Sequence, residues 1–279
     1  MNSAKKKNMK STISFQPRAR YQRTPGLPWR AALVGSLIGL LGALVFFAPA
    51  AWLAAGLSAA TSGRLQLLDV RGTVWTGTGR ALLTGGTGSK DKAVLPGTLA
   101  WQVRPAWAGV KLQINAACCT PAPLQTRLSF GWKTLEIRIE DGASQWPAAL
   151  LAGLGTPWNT VQAEARMQLT TQNLALKLFE GRFAMSGAAE LKALDVSSRL
   201  SKIRPMGSYQ LVLNGGPVPA LELTTLSGAL KLSGSGSWVG SKLRFKGVAS
   251  VDADMVDAFT NLLNIIGRRQ GVQSIITLG

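Results

Sequence analysis

The hydrophobic rhythm of the chain changes once, just beyond residue 60. Residues 31–63 are 33 consecutive positions without a charged side chain, bracketed by Arg30 and Arg64, and the first 18 of them carry only Ser36 as a polar residue. A run of that length and purity predicts a membrane-spanning helix. Trp29 and Trp52 stand 23 residues apart, roughly 34 Å along a helix, close to the separation of the two bilayer interfaces where indole rings settle. The span is therefore placed at 31–52. Pro49 falls near its outer end, where a lost backbone hydrogen bond is tolerated. The competing reading is a cleaved leader, because Ala48-Pro49-Ala50 has the A-x-A form. The long segment before the apolar run and the length of the run itself favour an uncleaved anchor.

After Gly63 the period becomes two. In Leu135-Glu136-Ile137-Arg138-Ile139-Glu140 apolar and charged residues alternate without error, and the same alternation marks 110–114, 161–169, 174–178, 229–232 and 243–251. Such segments predict strands with one buried and one wet face. Turn-forming clusters separate them: Gly85-Gly86, Asp141-Gly142, Asn214-Gly215-Gly216-Pro217 and Ser233-Gly234-Ser235-Gly236. Ten to twelve short strands are expected. Helical pattern is too sparse to supply the crossovers that a parallel sheet needs, so the sheet is expected to be mainly antiparallel. A glycine-bounded echo at 72–77, 181–187 and 228–234 suggests repeated meander units.

Two helices interrupt the strands. One is expected over 144–152, with Ser144 as cap, an early Pro147, and Gly153 and Gly155 as stops. The other is expected to start at Asp254 as cap, present Met255, Val256, Phe259, Leu262, Leu263 and Ile266 as one apolar stripe, and stop at Gly267. Residues 273–278 return to strand. The predicted class is mainly β: a single N-terminal transmembrane helix followed by an elongated, mostly antiparallel β-sheet domain with a short internal helix and a C-terminal helix. The expected organisation is a basic tail (1–30), a span and membrane exit (31–57) and a β domain (58–279).

Charge sets the topology. Lysine and arginine number 31 against 13 aspartates and glutamates, a formal charge of +18. Eight of the bases (Lys5, Lys6, Lys7, Lys10, Arg18, Arg20, Arg23 and Arg30) precede the span without one acid among them. The positive-inside rule then puts the N-terminus in the cytoplasm and everything after about residue 58 outside. A polybasic segment beside a span is expected to meet anionic lipid of the membrane, with no nucleic acid as partner.

Candidate chemistry is sparse. Histidine is absent and cysteine is confined to Cys118 and Cys119, which excludes histidine-based triads and zinc sites built on histidine or several cysteines. The cysteine pair reads as structural or incidental in a Thr/Pro-rich loop. Asp252, Asp254 and Asp257 read as acids favoured by a helix N-terminus, and Gly85 to Lys90 as a hairpin loop that lacks phosphate-loop spacing. No catalytic, metal or cofactor residues are expected, and no enzyme activity. Nine tryptophans stand against two tyrosines, with Trp75, Trp101, Trp132 and Trp238 placed on strands.

Four stretches together resemble protein N of the type II, or general, secretion pathway of Gram-negative bacteria, from about Leu33 to Gly279. Ala48-Pro49-Ala50-Ala51-Trp52-Leu53 resembles the family's exit from the membrane. Residues 67–77, ending Gly-Thr-Val-Trp-Thr-Gly, resemble its first strand pair, and Leu99-Ala100-Trp101-Gln102-Val103-Arg104-Pro105 resembles the strand that follows. Leu262 to Arg269, with the final Ile276-Thr277-Leu278-Gly279, resembles its C-terminal signature. The resemblance implies a non-enzymatic component or accessory of the secretion system in the bacterial inner membrane. Its β domain would be periplasmic, with other secretion proteins as partners, and it would support export of folded proteins across the outer membrane. Trp29, Pro49 and Trp52 are the expected membrane-anchor residues. Trp75, Trp101, Trp238, Arg268 and Arg269 are the expected contact residues. Since Gly-x-Val-Trp-x-Gly also resembles repeats in lipid-handling proteins of the AsmA type, a periplasmic lipid-binding or lipid-transfer protein is the alternative.

Overall fold

A computed structural model describes residues 29–279 apart from Pro157, Gly181 and Ser241, so the expected basic tail lies almost wholly outside the described residues. The chain divides into two units, residues 1–45 and 46–279. In the first, helix α1 (Trp29–Phe46) buries none of its side chains and carries no charge beyond Arg30. Its 18 residues give about 27 Å of rise, long and apolar enough by length and composition to cross a membrane.

The helix does not continue to Trp52 as the sequence pattern suggested. It ends at Phe46, and a separate helix, α2 (Ala50–Ala60), opens the second unit. Pro49 is the reason: it has no N–H to give to a helical bond and it disfavours helical backbone at Ala48, and it sits extended at φ −63°, ψ 145°. Trp29 and Trp52 therefore occupy different helices, and the spacing argument that joined them does not apply.

The rest of the second unit is one 16-stranded antiparallel sheet. Its strands are β1 (Leu65–Gly72), β2 (Thr76–Thr84), β3 (Lys92–Val94), β4 (Leu99–Ala106), β5 (Gly109–Ala116), β6 (Leu124–Gly131), β7 (Thr134–Ile139) and β8 (Gly142–Pro147). There follow β9 (Glu164–Phe179), β10 (Arg182–Ser197), β11 (Gly207–Gly216), β12 (Ala220–Gly228), β13 (Lys231–Val239), β14 (Lys242–Ser250), β15 (Arg268–Gln270) and β16 (Gln273–Leu278). The lateral order is β1-β2-β4-β5-β6-β7-β9-β10-β11-β12-β13-β14-β16-β15, with β3 on β2 and β8 on β9 off that path. Strands adjacent in sequence are mostly adjacent in space, as short connections favour, and register keeps like with like. Leu128 faces Ile137, which faces Leu176.

A meander of this kind sends its turns alternately to two edges. Pairings Gly72↔Gly77, Ala106↔Gly109, Gly131↔Thr134, Phe179↔Arg182, Asn214↔Ala220 and Val239↔Lys242 close hairpins on one edge, here the tip edge, and the C-terminal Leu278 ends beside Phe245 on it. The opposite edge carries the longer loops.

Two separate cores form on the sheet. One packs Phe259, Leu262 and Leu263 of α4 (Val256–Ile266) onto Met206, Tyr209, Leu230, Ala249 and Val251, so the expected apolar stripe is the buried face. The expected cap is not formed: Asp254 lies in a 3-10 turn (Ala253–Met255) whose start has no side-chain cap bond. The other core gathers Ala81, Leu95, Ala116, Cys119 and Leu150. The helix expected over 144–152 is half strand. Ser144 is buried and faces Leu169 in β8, Trp146 Nε1 donates to Ser144 Oγ at 2.8 Å, and only Ala148–Leu154 turns, as a 3-10 helix. Pro147 is allowed in β8 because that strand pairs on one side only. A four-residue helix, α3 (Trp158–Val161), follows.

Candidate membrane-exit site and contact residues

The turn between β1 and β2 is built around a ring that comes from β4. Trp101 is buried, 4% exposed, and its indole N–H points at Thr73 O and Val74 O, 3.2 Å from each. The ring fits only because position 77 is glycine. A Cβ there would collide with Trp101 Cζ2 and lie 2.5 Å from Arg71 O. Gly72 turns at φ +92°, a conformation that glycine adopts without cost. Thr73 closes the turn, its N–H donating to Thr76 O at 2.8 Å and its Oγ accepting from Thr76 N–H at 3.1 Å.

The same turn holds the chain where α1 has just ended. Val74 N–H donates to Ala48 O at 2.9 Å, and Pro49 pairs with Thr73 in an antiparallel bridge. Three segments far apart in sequence thus meet within one hydrogen-bonded latch: Ala48-Pro49, the Gly72 to Gly77 turn and Trp101. Trp75 stands half-buried beside it, and its carbonyl accepts from Val103 N–H at 2.6 Å. Below the latch α2 packs on β1, with Trp52 57% exposed on its outer side.

The five expected contact residues do not form one site. Trp75 and Trp101 meet in the latch, where Trp101 has no exposed face to offer. Trp238 is half-buried near the end of β13 on the same edge of the sheet, its N–H donating to Pro219 O at 3.2 Å. Arg268 and Arg269 lie on the terminal strand β15, towards the opposite edge. Arg268 is exposed and Arg269 is half-buried, bonding Gly271 O through Nε at 3.2 Å. Of the expected anchor residues, Trp29 opens α1, Pro49 is the break and Trp52 belongs to the β unit. Cys118 and Cys119 are bonded to each other as a vicinal disulfide in the β5–β6 loop. The Cys119 carbonyl accepts from Gln145 N–H at 2.7 Å, tying that loop to β8.

Of the most exposed aromatic side chains, Trp107 escaped the sequence reading, and Trp132, like Trp75, stands in a turn rather than on the strand expected of it. Trp107 and Trp132 occupy hairpin tips, fully and 89% exposed. Each stands in the two-residue gap where alternation stops, in Ala106-Trp107-Ala108-Gly109 and Gly131-Trp132-Lys133, and that gap was the available signal. A line of cations also emerges only from register. Arg104 faces Lys111, Lys111 faces Arg127 and Arg127 faces Arg138 across four consecutive strands. Arg138 is neutralised by Glu136 at 2.8 Å, and that hydrogen bond, supported by Lys177, holds the Glu136 carboxyl below its ordinary pKa. Arg104, Lys111 and Arg127 have no ion-pair partner among the described residues.

Among proteins of known family, the chain is matched over residues 63–275 by the family model for the type II secretion system (T2SS), protein N. No curated protein and no solved structure matches the chain. The matched segment begins before β1 and ends within β16, so the latch turn, Trp101 and the α4–β15 signature all fall inside it.

Proposed function

The chain belongs to the type II secretion system protein N family, and from that membership we propose a non-enzymatic inner-membrane component that supports export of folded proteins across the outer membrane. In this reading α1 is an uncleaved anchor with its N-terminus in the cytoplasm, and the β unit stands in the periplasm to meet other secretion proteins. The observation that carries it is the latch. Two residues, Phe47 and Ala48, separate the last residue of the apolar helix from Pro49, which is already paired to the sheet. A β unit tied to its span this closely is held at the membrane, and an assembly component needs that placement more than it needs chemistry.

The test is secretion of a type II cargo in a deletion strain. Full-length protein is compared with a version in which residues 29–46 are replaced by a cleavable export signal. Rescue by the anchored form alone supports the proposal. Cargo secreted at the normal rate without either form overturns it.

One observation favours the second reading, lipid binding. Val103, Leu112, Leu128 and Ile137 line one face of the central strands half-buried and belong to neither core. Phospholipid copurifying in stoichiometric amount, and lost when Leu112 and Leu128 become polar, would shift the assignment to that class.

A further inference from the structure

The tip edge differs from the rest of the surface in the residues it exposes. Among the described residues beyond Trp52, six aromatic side chains are exposed: Trp107, Phe130, Trp132, Trp158, Phe179 and Phe183. All but Trp158 stand on this edge. Neighbouring hairpins add Val218 and Val239, and the C-terminal strand adds Leu278, each more than half exposed. Apolar rings placed at hairpin tips contribute nothing to the cores, and in water they cost free energy. Successive hairpins repeat the arrangement across the width of the sheet.

Behind the tips lies the line of cations. Arg104 and Lys111 are two or three residues from their hairpin turn, and Arg127 shares their level through direct pairing with Lys111. At 3.3 Å per residue that is about 7–10 Å, comparable with the depth of a bilayer's headgroup layer plus the reach of a long side chain. Like charges directly opposed across strands destabilise a sheet, so this row is better satisfied against an anionic surface than by itself.

The third observation is continuity. The exit residues Ala48 and Pro49 are bound to the β1–β2 turn, which is itself on the tip edge. We infer that the hairpin-tip edge is a membrane-docking edge, with Trp107, Trp132, Phe179, Val218, Val239 and Leu278 entering the interface of an anionic phospholipid bilayer and Arg104, Lys111 and Arg127 meeting headgroup phosphates. Indole and phenyl rings favour that interface, and cations held close to an anionic surface are attracted to it. The inference rests on the anchored reading above and adds to it that the sheet stands on its tips.

The experiment uses full-length protein in vesicles of phosphatidylethanolamine and phosphatidylglycerol. Cys118 and Cys119 are bonded to each other, so without reductant a single introduced thiol carries the label. An environment-sensitive fluorophore is placed at Val218→Cys on the tip edge and, separately, at Leu226→Cys towards the opposite edge. Both positions are exposed and belong to neither core. In the vesicles the label at 218 should emit at shorter wavelength and be quenched by doxyl-labelled lipid, and that at 226 should show neither effect. The shift at 218 should shrink when phosphatidylcholine replaces the anionic lipid, or when Arg104, Lys111 and Arg127 all become Gln. Trp107→Ser with Trp132→Ser should reduce it further. Equal quenching at both positions, or none at 218, overturns the inference. Alkaline carbonate extraction separates the two readings. A protein that stays in the membrane with an unquenched 218 keeps its anchor and loses the docking edge. One that is extracted and unquenched loses both.

Discussion

The latch makes a sharp demand on Gly77 and a slight one on Gly79, two residues along the same strand. In Gly77→Ala the new methyl lies 2.5 Å from Arg71 O and 2.9 Å from Trp101 Cε2, and collides with Cζ2. Relief requires either β1 and β2 to part where Gly72 faces Gly77 or the indole to slide away from Thr73 O and Val74 O. Overpacking of this kind costs about 1–3 kcal/mol. The loss of backbone freedom in the unfolded chain returns about 0.4–1 kcal/mol, since position 77 is outside the left-handed region. The net is a destabilisation centred near about 1.3 kcal/mol and reaching at most about 2.6, which at its centre lowers the melting temperature of a unit of this size by about 3–5 °C. Gly79→Ala is the control. Its methyl would meet Val70 Cγ1 at 3.2 Å, Leu68 O at 3.3 Å and Trp101 Cζ3 at 3.5 Å, contacts that a few tenths of an ångström relieve, so its effect should stay within about 0.5 kcal/mol. Near-ultraviolet circular dichroism melts of detergent-purified full-length protein measure both. An unchanged Gly77→Ala, or a Gly79→Ala equally impaired, would refute the argument that the Trp101 ring is seated on position 77.

Phe259 is fully buried beneath α4, so Phe259→Ala should cost about 3–5 kcal/mol, whereas Ile265→Ala on the exposed side of the same helix should cost under about 0.5 kcal/mol in parallel melts. Burial raises the Tyr209 phenol above its ordinary pKa near 10 while its O–H donates to Leu230 O at 3.1 Å. The unfolded chain therefore releases that proton first, and the stability contributed by Tyr209 is present below pH 10 and lost as pH rises beyond it. Tyr209→Phe should melt earlier by about 0.5–1.5 kcal/mol at neutral pH and show a flatter decline on the alkaline side. With Cys118 and Cys119 bonded to each other, denatured unreduced protein should take up no maleimide and reduced protein two equivalents by intact mass. One equivalent without reductant would contradict the vicinal bond.

Local rules carried the sequence reading where each residue answered to its own neighbours. Leu135, Ile137 and Ile139 fall on one face of β7 and Glu136 and Arg138 on the other, and that alternation is decided within the strand. Phe259, Leu262 and Leu263 fall on one helical face by spacing alone. The misplacements occurred where two local signals competed. The apolar run through Trp52 outvoted Pro49, although proline chemistry ended α1 six residues earlier. The cap-and-proline pattern at Ser144 and Pro147 outvoted the strand β8 that pairing with β9 imposes.

What the sequence alone determined about this protein is its class: an apolar N-terminal helix, an antiparallel sheet made from alternating segments, a C-terminal amphipathic helix and the motif order of its family. Tertiary structure decided which residues meet. Trp101 reads as an exposed contact until the fold lays it on Gly77, 24 positions earlier in the chain. Arg104, Lys111 and Arg127 belong to three separate segments of the sequence until antiparallel register aligns them. The hairpin tips become one edge only because the meander, with β3 and β8 set off its path, returns the short hairpin turns to the same side. Periodicity is a property of each strand, whereas register and adjacency depend on the free energy of the whole sheet, and no window of sequence contains that sum.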